Sequence, residues 1–263
     1  MNIDSPLFAE ERRQHILQIL ELEARVSVAG LADQFHVSED TIRRDLRRLD
    51  GRGLLSKTHG GALRRVVRYE ERTGVLLEAK KAIGRKAAEL VERGDTIIID
   101  SGTTTLCMAN ALRAEQVRVL TNSLEVAQVI ATYPQYELIV FGGKYDTIHH
   151  ELVGRETVQQ IHRYRVDKLF MGFTALDRKK GPTDASPEDA EVKRAMIGVA
   201  QKVIGLADHS KLGQVALAWV APLSVFDILV TDEQADTSAF EDLNWNVIKV
   251  PILPQPAKDA RSS

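Results

Sequence analysis

Residues 38–49 read SEDTIRRDLRRL, and the spacing of their apolar positions decides how the N-terminal part of the chain folds. Ile42, Leu46 and Leu49 recur at i, i+4 and i+7, which is one stripe of an amphipathic helix. At about 100° per residue, Arg44 and Arg47 point away from that stripe, and Arg43 and Arg48 flank it. Asp45 falls close to the stripe and reads as an internal salt-bridge partner that orients an arginine. Ser38 is placed to cap the helix, with Glu39 and Asp40 at its positive end. Burying the stripe leaves a guanidinium-rich face with the width of a DNA major groove. Arg pairs bidentately with a guanine edge or clamps a phosphate. Base edges are met near the start of such a helix, which adds Ser38, Asp40 and Thr41 to the candidate contacts.

Upstream, residues 10–22 place Ile16, Ile19 and Leu20 at i, i+3 and i+4, a helix that ends at a break around Ala24-Arg25. Ser27 is placed as the N-cap of a second short helix carrying Val28, Leu31, Ala32 and Phe35, and His36-Val37 form the turn into the third. Two short helices joined by a tight turn are the helix-turn-helix pattern. Downstream, Gly51-Arg52-Gly53 breaks the third helix. Leu54-Leu55 and Ala62-Leu63 pair as short strands around the tip SKTHGG at 56–61. A basic hairpin beside such a helix is a wing, whose Lys57, His59 and Gly60-Gly61 backbone approach phosphates or the minor groove.

The charge distribution points the same way. Segment 41–68 holds nine Arg/Lys against Asp45 and Asp50, a balance of +7 in a chain whose net charge is −2. A charge run alone is commonly a solvated face. Beside an arginine helix it favours double-stranded DNA as the partner. With 263 residues, 44% hydrophobic and 27% charged, the chain is an ordinary globular one, not wholly disordered, collagenous or coiled-coil. The single Cys107 excludes a disulfide framework. No apolar run approaches the roughly 20 residues of a membrane span, and MNIDSPLFAEERRQ lacks an apolar signal core, so a cytoplasmic protein with no membrane partner is expected.

Beyond residue 64 the pattern changes. Segment 65–78 reads as a charged linker. From 79 to 252, short apolar runs at 96–99, 117–120, 138–141, 168–171, 203–206, 228–230 and 247–250 alternate with helical stretches. That alternation predicts an α/β domain: a mainly parallel, Rossmann-like sheet covered on both faces. Open sheets bind ligands at the C-terminal ends of their strands. There the sequence places Asp100, Ser101, Gly102, Thr103, Thr104 and Thr105 before a helix expected near Leu106, then Thr121, Asn122 and Ser123, then Gly142-Gly143, then Gly172 with Thr174, then Asp208-His209-Ser210-Lys211. Hydroxyl residues and Gly at helix N-termini suit a small polar anion. No Gly-Lys-Ser/Thr follows the first loop, so it is not a Walker A loop.

Two further groups carry weaker signals. His149-His150-Glu151 lacks the i, i+4 spacing of a zinc helix, so no metal is expected there. Cys107 reads as a small core residue, Trp219 and Trp245 as packing residues, and 253–263 as a tail. Asp100, Asp177, Asp184, Glu188 and Glu191 are the carboxylates an isomerase would need. None lies in a Gly-rich catalytic run, so a regulator is preferred over an enzyme.

The motifs ERRQHILQIL at 11–20, S-x-x-T-I-R-R-D-L at 38–46 and HGGA at 59–62 resemble the DNA-binding domain of the DeoR family of bacterial transcriptional regulators. DSGTTT at 100–105, TNS at 121–123, GG at 142–143, DKLFMG at 167–172, AEVKRAMI at 190–197 and DHSKLG at 208–213 resemble that family's effector domain. The resemblance implies a winged helix-turn-helix at 8–64 and a sensor domain related in fold to ribose-5-phosphate isomerase and CoA-transferases. It implies a phosphorylated sugar or sugar acid as effector, its phosphate on the 101–105 loop, with Lys193 and Lys211 as further anion contacts. One small domain with about half a dozen phosphate contacts binds DNA weakly alone, so a homo-oligomer, dimer or tetramer, is expected, and no cofactor. The chain departs from the common pattern at 173–177 (FTALD), at 181–187 (GPTDASP) and at Lys144-Tyr145-Asp146, all beside the expected pocket.

Overall fold

Apolar stripes at helical spacing need a partner face, and in the N-terminal unit, Met1–Val67, three helices and a small sheet supply it to one another. The computed structural model describes residues 9–23, 25–51, 54–64, 69–243 and 245–252. Helices α1 (Ala9–Glu23), α2 (Val28–Phe35) and α3 (Glu39–Gly51) pack around Ile16, Leu20, Leu31, Ile42, Leu46, Leu49, Leu55 and Ala62. Ser27 Oγ accepts from Gly30 N at 3.0 Å, and Ser38 Oγ from Thr41 N at 3.3 Å. Both caps stand where the sequence puts them. His36 ends α2 in the left-handed region at φ 53° and aims the chain into α3.

The wing has three strands. β1 (Arg25–Ser27), β2 (Leu55–Lys57) and β3 (Gly61–Arg64) pair antiparallel in the order β1-β3-β2. The sequence reading has a break at Arg25, whereas Arg25–Ser27 is a strand. Only Val26 of those three residues is apolar, too little alternation to see without its partner. Gly61 stands opposite Ser27, and a Cβ there would lie 1.9 Å from the Val26 carbonyl oxygen. Ala24, Arg52, Gly53, the linker residues 65–68 and the tail 253–263 lie outside the described residues.

The second unit, Arg68–Ser263, begins with α4 (Tyr69–Gly74) and α5 (Leu77–Ala88). Seven parallel strands follow: β4 (Thr96–Ile99), β5 (Arg118–Thr121), β6 (Glu137–Val140), β9 (Val166–Met171), β12 (Ala200–Leu206), β14 (Ile228–Asp232) and β15 (Asn246–Val250). These are the seven runs that the sequence marks. Their order is β15-β14-β12-β9-β4-β5-β6. The chain winds outward from β4 to β6, then returns and winds the other way from β9 to β15. The strand order therefore reverses between β4 and β9, which puts a crevice at their C-terminal ends.

Strand residues alternate between two layers. Ile97 and Ile99 face α5, α6 (Thr103–Ala111) and α7 (Leu124–Ile130), whereas Ile98 faces the side of α8 (Arg155–Ile161) and α9 (Pro187–Val199). Two small antiparallel sheets escaped the sequence reading: β7 (Lys144–Asp146) with β8 (Glu151–Val153), and β10 (Ala175–Asp177) with β11 (Gly181–Asp184) and β13 (Ala218–Trp219). Each strand has two to four residues, and β11 contains a Pro, so tertiary pairing rather than local propensity makes them. Trp245 stacks on Phe226 at 5.5 Å, but Trp219 is 51% exposed, against the expectation of a packing role. Trp219 lies on β13, an edge strand of its sheet.

The internal salt bridge expected of Asp45 is present, and its partners come from α1. Asp45 Oδ2 accepts from Arg12 Nε at 2.7 Å and Oδ1 from Arg13 Nη1 at 3.0 Å, with all three side chains buried. Asp45→Asn would remove the buried carboxylate that Arg12 and Arg13 share, leaving Arg13 its pair with Glu10, a loss of about 3 kcal/mol. Chemical denaturation followed through the N-terminal unit should show that unit unfolding first. An unchanged midpoint would mean that the triad is structurally idle.

Candidate functional site

Burying the α3 stripe leaves Arg43, Arg44, Arg47 and Arg48 exposed. Their states differ. Arg43 pairs with Glu39 at 2.6 Å and Asp40 at 3.8 Å, and Arg47 Nε donates to the Arg43 carbonyl at 3.2 Å. Among the described residues no ion pair holds Arg44 or Arg48. Ser38 and Thr41 share a hydroxyl hydrogen bond of 2.9 Å at the helix start. Lys57, His59 and Gly60 are exposed on the wing, and Lys57 N donates to Asp50 Oδ1 at 3.0 Å, fixing the wing to the end of α3. Arginine face and wing are thus parts of one rigid surface.

In the second unit the crevice between β4 and β9 is closed at its base by Gly172 N donating to Asp100 Oδ2 at 3.1 Å. The 100–105 loop is shorter than expected. Gly102 at φ 128° turns the chain, and α6 begins at Thr103 rather than near Leu106, so Thr103, Thr104 and Thr105 form its first turn. The backbone N–H groups of that turn point to the sheet edge, where the helix dipole favours an anion. Thr105 Oγ1 donates to the Gly102 carbonyl and Ser101 Oγ to Glu151 Oε2 at 2.5 Å, so these two hydroxyls are committed inside the protein.

The other candidates sort the same way. Thr121 Oγ1 accepts from Ser123 N, and Ser123 Oγ caps α7 through Val126 N, whereas Asn122 Oδ1 is buried with no partner. Gly142 is held by Gln160 and Thr157. Gly143 sits at φ 155°, and a Cβ there would meet Thr157 Oγ1 at 2.0 Å. Thr174 Oγ1 donates to Asp184 Oδ1 at 2.7 Å. Lys211 Nζ donates to the Phe173 carbonyl at 2.7 Å, and burial lowers its pKa to about 8.

Lys193 stands otherwise than expected. Its ammonium lies 2.8 Å from Asp100 Oδ2, 2.8 Å from Asp189 Oδ1 and 3.7 Å from Asp184 Oδ2, and it is 2% exposed. It is saturated by carboxylates and is no ready contact for a ligand anion. Glu151, 1% exposed, adds a fourth carboxyl nearby. Burial pushes the pKa of Asp100, Glu151 and, most of all, Asp189 upward. Burial opposes ionisation of Asp184 too, but Lys193, the Thr174 hydroxyl and the Ala185 N–H hold its pKa below the usual value. Burial opposes the charge on Lys193, and Asp100, Asp189 and Asp184 outweigh it, so it stays protonated. Asp189 was not singled out by sequence, and Glu151 only as part of the 149–151 run weighed as metal-ligand material. The i, i+4 spacing of Asp189 and Lys193 on α9 was the available signal.

The segment that carries Glu151 also holds α4. Tyr69 N donates to the Ile148 carbonyl at 3.0 Å, and its ring stacks on His150 at 4.8 Å. His150 bonds Glu125 at 2.6 Å through Nδ1 and Glu70 at 3.0 Å through Nε2, from a left-handed backbone at φ 59°. His149, Asp146 and Glu151 offer ligand atoms within 4.8 Å of one another. That trio is not the adjacent 149–151 run considered in the sequence. The turn's own bonds, with Asp146 accepting from Ile148 N and His149 N, account for Asp146 and His149. Burial pushes the half-buried Cys107 thiol up, away from an activated thiolate. No helix among the described residues is long and apolar enough to cross a membrane.

Residues 12–65 match the family described as "DeoR-like helix-turn-helix domain", and residues 76–233 the family described as "DeoR C terminal sensor domain". The chain is 34% identical to the HTH-type transcriptional repressor GlcR of Bacillus subtilis, over 95% of this chain and 98% of that protein. It is 29% identical to the glycerol-3-phosphate regulon repressor of Escherichia coli, over 92% and 98% respectively. Both are named as repressors, not as enzymes. A ribose 5-phosphate isomerase from Methanocaldococcus jannaschii is similar over 52% of this chain and 54% of its own, with 17% identity and a TM-score of 0.38. The fold assignment rests on the strand order above.

Lys193→Met would leave the surrounding carboxyls uncompensated, at a cost of about 3–5 kcal/mol near neutral pH. Carboxyls whose folded-state pKa lies above the unfolded value bind protons on folding, so stability falls as pH rises past the unfolded value. The variant should therefore regain part of its loss as the pH is lowered from neutral into the carboxylate range. Denaturant midpoints measured across that range check this; a deficit that stays constant with pH would contradict it.

Proposed function

Because this chain belongs to the DeoR family of transcriptional regulators, we propose that it is a repressor whose grip on operator DNA is set by a phosphorylated sugar or sugar acid bound at the edge between β4 and β9. Residues 8–64 form the DNA-binding domain and 79–252 the sensor. The observation that carries the reading is the α3 face. A stripe buried against α1 and α2, with Asp45 clamped by Arg12 and Arg13, holds four arginines outward on a rigid helix. Arg44 and Arg47 point furthest from the stripe and read base edges. Arg43, Arg48, Lys57, His59 and the Gly60 backbone neutralise phosphates, with Ser38, Asp40 and Thr41 at the helix start.

The effector's phosphate sits on the N–H groups of the first turn of α6, with Lys211 beside it. The relatives named above are repressors of GlcR type and of a glycerol-3-phosphate regulon, which agrees with control of carbohydrate catabolism in the cytoplasm. Half a dozen phosphate contacts from one small domain bind weakly alone, so a homodimer or tetramer places two domains on operator half-sites. The effector shifts DNA affinity by no more than its differential affinity for the two states.

Fluorescence anisotropy with DNA from the protein's own upstream region tests this. Arg44→Ala or Arg47→Ala should each cost about 1–3 kcal/mol and relax sequence preference, whereas Arg48→Ala should weaken all sequences alike and flatten the salt dependence. One phosphorylated compound of a sugar panel should shift the affinity while its unphosphorylated form does not. Binding that ignores all three arginines would contradict the DNA reading. Specific binding that no phosphorylated compound alters would contradict the effector reading.

A further inference from the structure

At the reversal point of the sheet the protein leaves three buried acceptor oxygens without partners: Asp100 Oδ1, Asn122 Oδ1 and Glu151 Oε1. They are not scattered. Asp100 and Asn122 directly follow β4 and β5, which are adjacent strands. Ser101, next to Asp100, bonds Glu151, and Leu152, next to Glu151, exchanges bonds with Asn122 through Leu152 N to the Asn122 carbonyl at 2.7 Å and Asn122 Nδ2 to the Leu152 carbonyl at 3.3 Å. All three residues are at most 1% exposed. A buried acceptor without a donor is costly, and native proteins rarely tolerate three together without a ligand or water to satisfy them.

The charge around them is one-sided. Asp100, Asp184, Asp189 and Glu151 gather around Lys193, which already has its short bonds to Asp100 and Asp189. The other nearby ammonium, Lys211, bonds the Phe173 carbonyl. A group entering here meets four carboxyls against Lys193, with Lys211 as a further ammonium on the Asp184 side. A hydroxyl donates to those oxygens and also accepts from any carboxyl that carries a proton. A carboxylate only accepts, and adds a like charge to a buried cluster.

We propose that Asp100, Asn122 and Glu151 form a hydroxyl-reading subsite that takes the neutral polyol end of the effector and rejects a carboxylate there. The inference rests on the effector reading above and narrows it. Of the two classes the family resemblance leaves open, a sugar or sugar-alcohol phosphate fits and an aldonic-acid phosphate does not. The α6 turn and the acceptor subsite then divide the ligand between them, one end anionic and the other uncharged. Asp100, Asn122 and Glu151 are specificity residues in this account, and Lys193 positions Asp100.

The test uses the full-length protein and matched pairs that differ only at the end remote from phosphate: glycerol 3-phosphate with 3-phosphoglycerate, erythritol 4-phosphate with 4-phosphoerythronate, and sorbitol 6-phosphate with 6-phosphogluconate. Inorganic phosphate is the reference, and isothermal titration and thermal shift are the readouts. In the pair whose length fits, the alcohol should bind more tightly than inorganic phosphate, and the acid roughly a hundredfold more weakly than the alcohol, as expected when a site built for hydroxyls meets a group it cannot satisfy. Glu151→Gln removes one charge but keeps an acceptor for Ser101, and it should narrow that gap by strengthening the acid. An acid that binds as tightly as its alcohol overturns the proposal. So does inorganic phosphate binding as tightly as every alcohol, an outcome that leaves the phosphate site intact. Failure of phosphate and all six compounds to bind overturns both the subsite and the effector reading.

Discussion

A parallel sheet delivers the ends of its strands to one edge, and at that edge this protein buries four carboxyl groups around one ammonium. Everything near the sensor site answers to that imbalance. Lys193 reaches across from α9 to hold Asp100 at the end of β4, Thr174 and the Ala185 N–H hold Asp184, and Ser101 gives its hydroxyl to Glu151. In a low-dielectric setting such a group of acids is stable only when its charge is shared, protonated or met by a ligand. The cluster is therefore a poor anchor for an anion and a good reader of hydroxyls. The proposed place for the anion is the neighbouring helix turn, where backbone N–H groups offer donors with no counter-charge attached.

The same logic of clamped charge governs the DNA-binding unit on a smaller scale. Asp45 sits on the buried side of α3 and fixes two α1 arginines there, while four arginines of α3 itself are left to solvent. Charge buried on one side of the helix orients it, and charge exposed on the other gives it a partner. The linker helix α4, which follows the DNA-binding unit in the chain, is pinned through Tyr69 and His150 to the segment whose next residue is Glu151.

Much of this was legible in the sequence. The α3 stripe, the two serine caps, the seven sheet strands and the polar strand ends follow from periodicity and local chemistry, and these are the features local chemistry controls. What escaped was tertiary. β1 and the two small sheets have strands of two to four residues whose pairing partners lie far away in sequence. The roles of individual site residues escaped for the same reason. Lys193 looks like an anion contact until Asp100, 93 positions away, is found against it, and Ser101 looks free until Glu151 arrives from another sheet. Sequence locates the edge of the site, but only the fold shows which of its groups are already spent.

The direct measurement is of the carboxyl protons themselves. Carbon-13 NMR of the Asp and Glu side-chain carboxyls, titrated through neutral pH in the ligand-free protein, reports the ionisation of each. Asp100, Glu151 and Asp189 should titrate above the ordinary carboxylate range, and Asp184 below it. All four titrating at ordinary carboxylate values would show that the cluster is unconstrained and would contradict this reading at its base.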